Sequence, residues 1–190
     1  MNTVLRKATT TDAATLLQLV RDCVAAMRAA GIEQWDEVYP NAETIARDIE
    51  AGTLHVLCEH DTIIASITID QTMDPLWQGM NWSAGSEPAF AVHRLMVHPT
   101  RQGRGLARLL MQHAETTARE QGGHSIRLDT FLQNPAAMAL YPRLGYQPTG
   151  TAMMRKGAFA GFEKLLHPTS CPNTPPQPAG RTTAPASDSR

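Results

Sequence analysis

The sequence has little net charge, few cysteines and no long apolar run. Its 190 residues include 17 basic and 18 acidic side chains, which leaves a formal net charge of −1. Proteins that hold DNA or RNA by neutralising phosphates carry a basic field, so we expect no nucleic-acid partner. Any anion that this chain binds must be held by a local arrangement of donors.

The 3 cysteines have neither the spacing of a metal site nor that of a disulfide framework. Cys23 falls on the apolar face of a predicted helix and Cys58 falls in a predicted strand, so both are predicted to be buried thiols; Cys171 lies in the tail. We expect no metal. The N-terminal segment lacks the apolar run of a signal peptide, and no segment is long enough to span a membrane. These absences predict a cytoplasmic protein without a membrane partner.

Composition separates a domain from a tail. Residues 1–167 are predicted to form one domain, whereas 168–190 are rich in Pro, Thr, Ser and Ala and are predicted to be disordered. Within the domain, apolar periodicity predicts both strands and helices. The predicted strands are Val4–Lys7, Leu54–Glu59, Thr62–Asp70, Phe90–Val97, Ser125–Thr130, Tyr146–Met154 and Phe159–Leu165. The predicted helices lie between Asp12 and Gly31, over Ala42–Glu50, over Leu106–Gln121, and from Asn134 to Gly145.

The most informative segment is the turn between the predicted strand that ends at Val97 and the helix that begins at Leu106. Gly103 and Gly105 lie in this turn. Such a turn places main-chain N–H groups at the positive end of a helix with no side chains in the way. It is therefore a predicted site for a phosphate or a pyrophosphate.

The residues around the turn narrow the kind of phosphate site. Arg101 and Arg104 flank it and can pair with the same anion. A P-loop is excluded because Leu106-Ala107, rather than Lys followed by Ser or Thr, come after the last glycine. A dinucleotide-binding fingerprint is excluded because the acidic residue at a suitable distance, Glu120, lies inside the helix.

The order of motifs resembles a known family. Gln102-Gly103-Arg104-Gly105-Leu106-Ala107 matches Q/R-x-x-G-x-G/A, and Asn134, Ala137–Tyr141 and Leu144–Tyr146 follow downstream. This arrangement resembles the GNAT superfamily of acetyl-coenzyme A-dependent N-acetyltransferases over Val4–Leu166, most strongly from Val92 to Tyr146. The resemblance implies an α/β fold (α+β in some schemes). It also implies a central mixed, mostly antiparallel sheet of six to seven strands, flanked by about four helices, and acetyl-coenzyme A as co-substrate.

The resemblance assigns the cofactor to three segments of the chain. The glycine turn would surround the pyrophosphate, and the strand end before it would offer main-chain hydrogen bonds to the pantetheine arm and to the thioester oxygen. Asn134 would reach the coenzyme A arm, although it is also a good helix N-cap. The implied cofactor-binding residues are Leu95, Met96, Val97, Arg101, Gln102, Gly103, Arg104, Gly105, Leu106, Ala107, Asn134 and Tyr141.

Tyr141 has an implied catalytic role as well. It lies two helical turns after Asn134, and its phenol would donate a proton to the leaving thiolate, as the matching Tyr does in the family. The alternative is a packed Tyr with a satisfied hydroxyl. Pro142 departs from the family pattern, because a proline-induced kink at this point would move Tyr141.

The proton acceptor is predicted at His93, where family members often carry a Glu. An imidazole has a suitable pKa near 7, so either His93 or a water would deprotonate the amine. Strand alternation predicts that His93 shares a face with Leu95 and Val97, with Arg94 on the other face. The alternative is a His that merely lines the core or the pocket.

In the family, the region between the first two strands shapes the acceptor site, so the resemblance implies that it is lined by Trp35, Asp36, Glu37 and Tyr39, together with Trp77 and Trp82. Of these, Trp35, Glu37 and Tyr39 are predicted to bind the acceptor. Acidic and aromatic groups favour a cationic amine, either a small molecule or an amine on a peptide. The alternative is that these residues are core anchors and solvated loop acids. Two further functions stay open: a non-catalytic acyl-coenzyme A-binding or regulatory module, and an acetyltransferase acting on protein N-termini or lysines. Family members often dimerise, which makes a homodimer one expectation.

Overall fold

Seven strands form one sheet in the computed structural model, which describes residues 3–83 and 85–166. The strands are β1 (Thr3–Lys7), β2 (Leu54–Glu59), β3 (Thr62–Asp70), β4 (Ala89–Val97), β5 (Ser125–Phe131), β6 (Gln147–Met154) and β7 (Gly157–Leu165). The longer helices are α1 (Ala13–Ala29), α2 (Ala42–Glu50), α3 (Leu106–Glu120) and α4 (Pro135–Arg143). The strand order is β1-β2-β3-β4-β5-β7-β6, and β4 and β5 form a parallel pair within an otherwise antiparallel sheet. This mixed sheet confirms the predicted fold class. The predicted tail and Cys171 lie outside the described residues.

The helices cover the two faces of the sheet, and each face has its own apolar core. α1 and α2 pack on one face together with Leu54, Val56 and Cys58 of β2. α3 and α4 pack on the opposite face, where Leu110 and Met111 are fully buried. Cys23 and Cys58 both lie in the first core as free, buried thiols, which confirms their predicted burial.

The parallel pair β4–β5 is short, and this shortness creates a fork in the sheet. Ala89–Ala91 are in register with Ser125–Arg127. Beyond this point the two strands diverge, although β4 continues to Val97 and β5 to Phe131. The facing main-chain edges in the fork therefore have no strand partner among the described residues. Their N–H and C=O groups are available to a ligand, except that the Val97 carbonyl accepts from the Gln102 side chain at 3.3 Å.

A β-bulge in β4 overturns the predicted alternation of its side chains. Met96 opposes Ser66 and His93 opposes Thr68, so two residues of β4 stand against one of β3. Arg94 lies in the bulge with a φ of 49°. Because the bulge adds one residue, His93 shares a face with Met96, on the side of α1 and α2. The prediction that His93 shares a face with Leu95 and Val97, opposite Arg94, is therefore wrong.

Two features are absent from residues 3–83 and 85–166. Neither α1–α4 nor a shorter helix has the length and apolar character needed to cross a bilayer. No group of three or more His, Cys, Asp or Glu side chains in these ranges is arranged to hold a metal ion.

Candidate functional site

The glycine turn before α3 presents main-chain N–H groups to open space. Gly103 and Gly105 have φ values of 75° and 77°, in the left-handed region that favours glycine. The Leu109 N–H donates to the Gly105 carbonyl at 3.1 Å, so the amides of residues 106–108 have no partner within the helix. A Cβ built at Gly103 or Gly105 would meet no protein atom within 4 Å. The turn therefore offers donors and the positive end of a helix dipole to an anion.

The arginines that were predicted to pair with this anion contact a carboxylate instead. Arg101 and Arg104 lie 3.0 and 3.7 Å from the carboxylate oxygens of Glu59. Two other arginines that line the adjoining cavity carry no carboxylate partner among the ion pairs of the described residues: Arg108, in the first turn of α3, and Arg143, in α4. The position of Arg108 beside the glycine turn was a signal that the sequence contained. The position of Arg143 in the cavity wall depends on how α4 packs, and the sequence pattern does not indicate that packing.

A cavity of about 1190 Å³ runs from the glycine turn past the fork between β4 and β5 to the loop 31–40. The predicted site residues that line it are Trp35, Tyr39, His93, Leu95, Met96, Val97, Gln102, Gly103, Gly105, Leu106, Ala107, Asn134 and Tyr141. Glu37 does not line it, because its exposed carboxylate accepts hydrogen bonds from Arg28 at 2.7 and 3.0 Å. The fold thus brings the predicted cofactor segments and most of the predicted acceptor residues to one cavity.

Tyr141 lies on the cavity wall, held by aromatic contacts. Its ring centroid is 6.0 Å from that of Tyr146 and 5.5 Å from that of Phe162. α4 includes Pro142 in its last turn, and Tyr141 nevertheless lines the cavity. Burial, reinforced by the charge of Asp129, raises the pKa of the Tyr141 hydroxyl. The hydroxyl is therefore protonated at neutral pH and able to donate a hydrogen bond or a proton.

His93 lines the cavity with one ring nitrogen already engaged. Its Nε2 atom is 3.0 Å from the Thr72 carbonyl oxygen and 3.4 Å from an oxygen of Asp70. A carbonyl oxygen only accepts, so Nε2 carries the hydrogen, and Nδ1 holds the lone pair of the neutral ring. Trp77 stacks on the ring at a centroid distance of 5.6 Å. Any role of His93 as a base therefore falls to Nδ1.

Asp129 is a cavity residue that the sequence analysis missed. It lies on β5, and its carboxyl faces His93, Asp74 and the Trp77 indole. Burial, opposed by His93 and reinforced by Asp74, raises the pKa of this carboxyl to about 6. The Trp77 N–H is buried without a well-formed hydrogen bond to any described residue. A single Asp in a strand has no sequence pattern that marks it as a functional residue. The environment of Asp129 depends on the divergence of β4 and β5, which the sequence does not indicate.

The loop 31–40 is tied across the cavity to elements distant in sequence. Asn134 caps α4 by accepting from the Ala137 N–H at 3.2 Å, and its Nδ2 donates to Gln34 at 2.9 Å. Arg155, in the turn between β6 and β7, donates to both carboxylate oxygens of Asp36 at 2.7 and 2.8 Å. These contacts close one side of the cavity.

A buried ion pair supports the same loop from below. The Arg94 guanidinium donates to Asp48 on α2 at 2.7 Å and to the Tyr39 hydroxyl at 2.7 Å. Asp48 also accepts from the Thr68 hydroxyl at 3.0 Å. With its donors shared in this way, Arg94 connects the β4 bulge to the loop and is neutralised by Asp48.

The two tryptophans of the segment between β3 and β4 do not line the cavity, contrary to expectation. Trp77 supports His93 from behind, and only 1% of its surface is exposed. Trp82 lies against the Arg127 guanidinium, 4.8 Å from the ring centroid. Trp77 thus shapes the site indirectly, whereas Trp82 packs the segment onto β5.

Comparison with known proteins agrees with this geometry. Residues 18–146 match the family described as Acetyltransferase (GNAT) family. The uncharacterized N-acetyltransferase YdgE of Bacillus subtilis (strain 168) is 31% identical over 93 residues, which span 48% of this chain and 59% of that protein. The match thus covers less than two thirds of this curated relative.

Two solved structures show the same fold at low identity. A GNAT-family acetyltransferase from Streptococcus agalactiae 2603 has a TM-score of 0.76 at 23% identity, covering 86% of this chain and 95% of that one. The PaiA N-acetyltransferase of Thermoplasma acidophilum, solved in complex with coenzyme A, has a TM-score of 0.66 at 18% identity, covering 85% and 98%. With the fork, the glycine turn and the family match in agreement, the chain belongs to the acetyltransferase (GNAT) family.

Proposed function

We propose that this protein transfers the acetyl group of acetyl-coenzyme A to a primary amine by direct attack in a ternary complex. The observation that carries the proposal is the continuity of the cavity. It joins a glycine turn whose free amides suit an anion, an unpaired strand edge and a protonated Tyr141 in one space. That a related fold was solved with coenzyme A supports the same choice of co-substrate.

The residues present fit coenzyme A. The amides of residues 102–107 would hold its pyrophosphate, because the space in front of Gly103 and Gly105 is open. Arg108 and Arg143 would add positive charge from the cavity wall. Arg101 and Arg104 would bind the pyrophosphate only if they left the Glu59 carboxylate and paired with phosphate oxygens instead.

The thioester would lie in the fork. Leu95–Val97 offer main-chain groups on the free edge of β4, which is the geometry of an added strand and of an oxyanion-binding N–H. When bound, acetyl-coenzyme A supplies the electrophilic acyl carbon. Tyr141 donates the proton to the departing sulfur, and His93 is the proton acceptor suggested by the family resemblance, through Nδ1.

The tied loop favours a small amine over a protein substrate. Trp35 and Tyr39 line the cavity from this loop, and the hydrogen bonds of Gln34 and Asp36 hold it across the side where a peptide would lie. We expect a compact cationic amine, whose reacting end is enclosed by aromatic and acidic groups.

A thiol-release screen tests this function. Purified protein is incubated with acetyl-coenzyme A and a panel of alkylamines, polyamines, amino acids and peptides, and free coenzyme A is measured against time. We expect release with at least one small amine and little with peptides. Tight coenzyme A binding without transfer to any member of the panel would instead indicate an acyl-coenzyme A-binding module.

A further inference from the structure

Asp129 occupies the fork between the two groups already given catalytic roles. It projects from β5 to the face that carries His93, and its charge acts on the Tyr141 hydroxyl on the other side. All three residues line the same cavity. Asp129 lies two residues beyond Arg127, the last residue of β5 in register with β4, so it stands on the wall of the fork in which the thioester is proposed to lie.

The other acids near the site already have partners. Asp48 binds Arg94 at 2.7 Å, and Asp70 faces His93 at 3.4 Å and accepts from the Thr72 N–H at 2.7 Å. Asp74, which also lines the cavity, caps the following 3-10 turn by accepting from the Leu76 N–H at 2.8 Å. Asp129 has no paired arginine or lysine within the described ranges. Apart from the side that faces the Trp77 indole, the accepting capacity of its carboxylate is therefore left for a cation that enters the cavity.

We propose that Asp129 binds the ammonium group of the acceptor and takes its proton, a catalytic role that rests on the proposed transferase function. The carboxylate of Asp129 becomes a carboxylic acid and the ammonium becomes a neutral amine. The nitrogen lone pair then forms the C–N bond, the C–S bond breaks, and the thiolate takes the Tyr141 proton. The second proton on the nitrogen returns to the Tyr141 oxygen, and Asp129 releases its proton to water.

The environment suits this step. The groups that face Asp129 are His93 from β4, Asp74 from the segment before the 3-10 turn Pro75–Gly79, and Tyr141 from α4. Burial moves the pKa of Asp129 to about 6, which makes it a stronger base than a solvated carboxylate and leaves it ionised at neutral pH. With Asp129 as the base, His93 does not take the proton itself: stacked on Trp77 and donating to Thr72, it faces Asp129 and positions that carboxyl.

A base at Asp129 restricts the class of amine that the site can use. An amine that is cationic in water needs both binding and deprotonation by Asp129, whereas an amine that is neutral at pH 7 needs neither. The structure thus assigns to this site the chemistry of aliphatic primary amines. Aromatic or strongly electron-poor amines would gain nothing from Asp129.

The test compares Asp129→Asn with wild type, using the best primary alkylamine from the thiol-release panel. At pH 7 we expect kcat/KM to fall by at least about 100-fold, the usual contribution of a general base, while coenzyme A affinity measured by calorimetry is unchanged. In wild type, kcat/KM should fall below about pH 6 as Asp129 becomes protonated, and this acid limb of the pH profile should disappear in Asp129→Asn. The residual kcat/KM of the variant should instead rise tenfold per pH unit, as the fraction of neutral amine increases. Asp129→Glu should restore part of the rate and the limb.

Asp61→Asn is the matched control, because Asp61 is exposed in the turn between β2 and β3; we expect it to behave like wild type. An unmoved acid limb in Asp129→Asn, or a limb that moves only in His93→Gln, would overturn the inference while leaving the transferase function standing. If Asp129→Asn loses coenzyme A affinity, the pKa of Asp129 is measured in wild type by carboxyl-carbon NMR, with the signal assigned by comparison with Asp129→Glu. An Asp129 pKa at the usual value for an aspartate would reject its role as the base. Absence of transfer by wild type would refute the transferase function itself.

Discussion

Gly105 and Gly122 have nearly the same conformation at opposite ends of α3. Their φ values are 77° and 76°, and a Cβ at either would meet nothing within 4 Å. A β-branched side chain at either position strains the backbone by about 1–2 kcal/mol. Only the one at residue 105 would project beside the amides that are proposed to bind pyrophosphate.

We therefore expect Gly105→Val to lower coenzyme A affinity by at least about tenfold, equivalent to about 1.4 kcal/mol, and Gly122→Val to leave it unchanged. Both variants should lose similar stability in urea. Calorimetric titration with coenzyme A measures the first effect. Equal affinities in the two variants would separate the turn from cofactor binding.

The two tyrosines at the α4 end of the cavity provide a second matched pair. Tyr141 lines the cavity, whereas the Tyr146 hydroxyl donates to Glu115 at 3.3 Å within the core. We expect Tyr141→Phe to lower kcat by about 100-fold, the scale of a lost general acid, with coenzyme A affinity intact. Tyr146→Phe should lower the unfolding midpoint and leave kcat near wild type. Similar kcat values in both variants would remove Tyr141 from the chemistry.

His55 gives the fold a pH dependence that is separate from catalysis. Burial, with the nearby charges of His113 and Lys7, lowers its pKa from 6.5 to about 4, and its Nδ1 has no partner among the described residues. Between these two values the unfolded chain takes up a proton that the folded chain refuses. His55 therefore destabilises the folded state progressively as pH falls from about 6.5 toward 4. Above pH 6.5 this destabilisation is absent.

His55→Leu should flatten this part of the stability curve. We expect the unfolding free energy of wild type to fall more steeply than that of the variant between pH 6.5 and pH 4. Urea titrations at several pH values measure both slopes. Carboxylates that also titrate there are shared by the two proteins, so parallel curves would contradict the assignment.

At the level of elements, two exposed or half-exposed ion pairs help to hold the loop 31–40, in addition to the buried Arg94–Asp48 pair beneath it. Arg155 binds Asp36 over the cavity, and Arg28 binds Glu37 outside it. Exposed pairs of this kind contribute at most about 1 kcal/mol each. Removing Arg155 should loosen the cavity wall without unfolding the protein. Removing Arg28 should leave both the cavity wall and the fold unchanged.

We expect Arg155→Gln to raise the KM for a small amine by about threefold to fivefold, which corresponds to less than about 1 kcal/mol. Coenzyme A affinity should stay constant, and transfer to short peptides should increase. Arg28→Gln serves as the control with an unchanged KM. Steady-state kinetics with both acceptor types decide between a closing loop and a passive one.

Elements that follow from local periodicity were predictable from the sequence, and features that need two elements were not. β3 and α3 lie within a residue or so of their predicted bounds because alternating or helical spacing is written in the chain. The bulge at Arg94 was not predictable, since a positive φ at a non-glycine residue leaves no compositional mark. Asp129 was not predictable for a related reason, because the groups around it come from elements that are distant in sequence and meet only in the folded protein.

At the level of the whole molecule, residues 1–167 are proposed to contain everything needed for folding and binding. The described part ends at Leu166, which is 5% exposed and whose N–H donates to the His124 carbonyl at 2.7 Å. The last strand is thereby anchored beside β5. Little stabilising burial is expected from a following segment with almost no large apolar residues.

A chain shortened to residues 1–167 should therefore melt within about 1–2 °C of the full chain, because a change of 1 kcal/mol would shift the midpoint by several degrees in a domain of this size. Its coenzyme A affinity should also be the same. Differential scanning calorimetry and titration of both chains provide the comparison. A lower midpoint, or weaker binding, would assign 168–190 a structural part.

The divergence of β4 and β5 also bears on the sequence of events in one catalytic cycle. Three registered residue pairs connect these strands, and a thioester lying between them would complete a wall that the protein alone leaves open. The acceptor would then meet a finished binding surface only after the nucleotide has docked. An enzyme built in this way would follow a compulsory order, with the acyl donor first to arrive and the spent thiol last to leave.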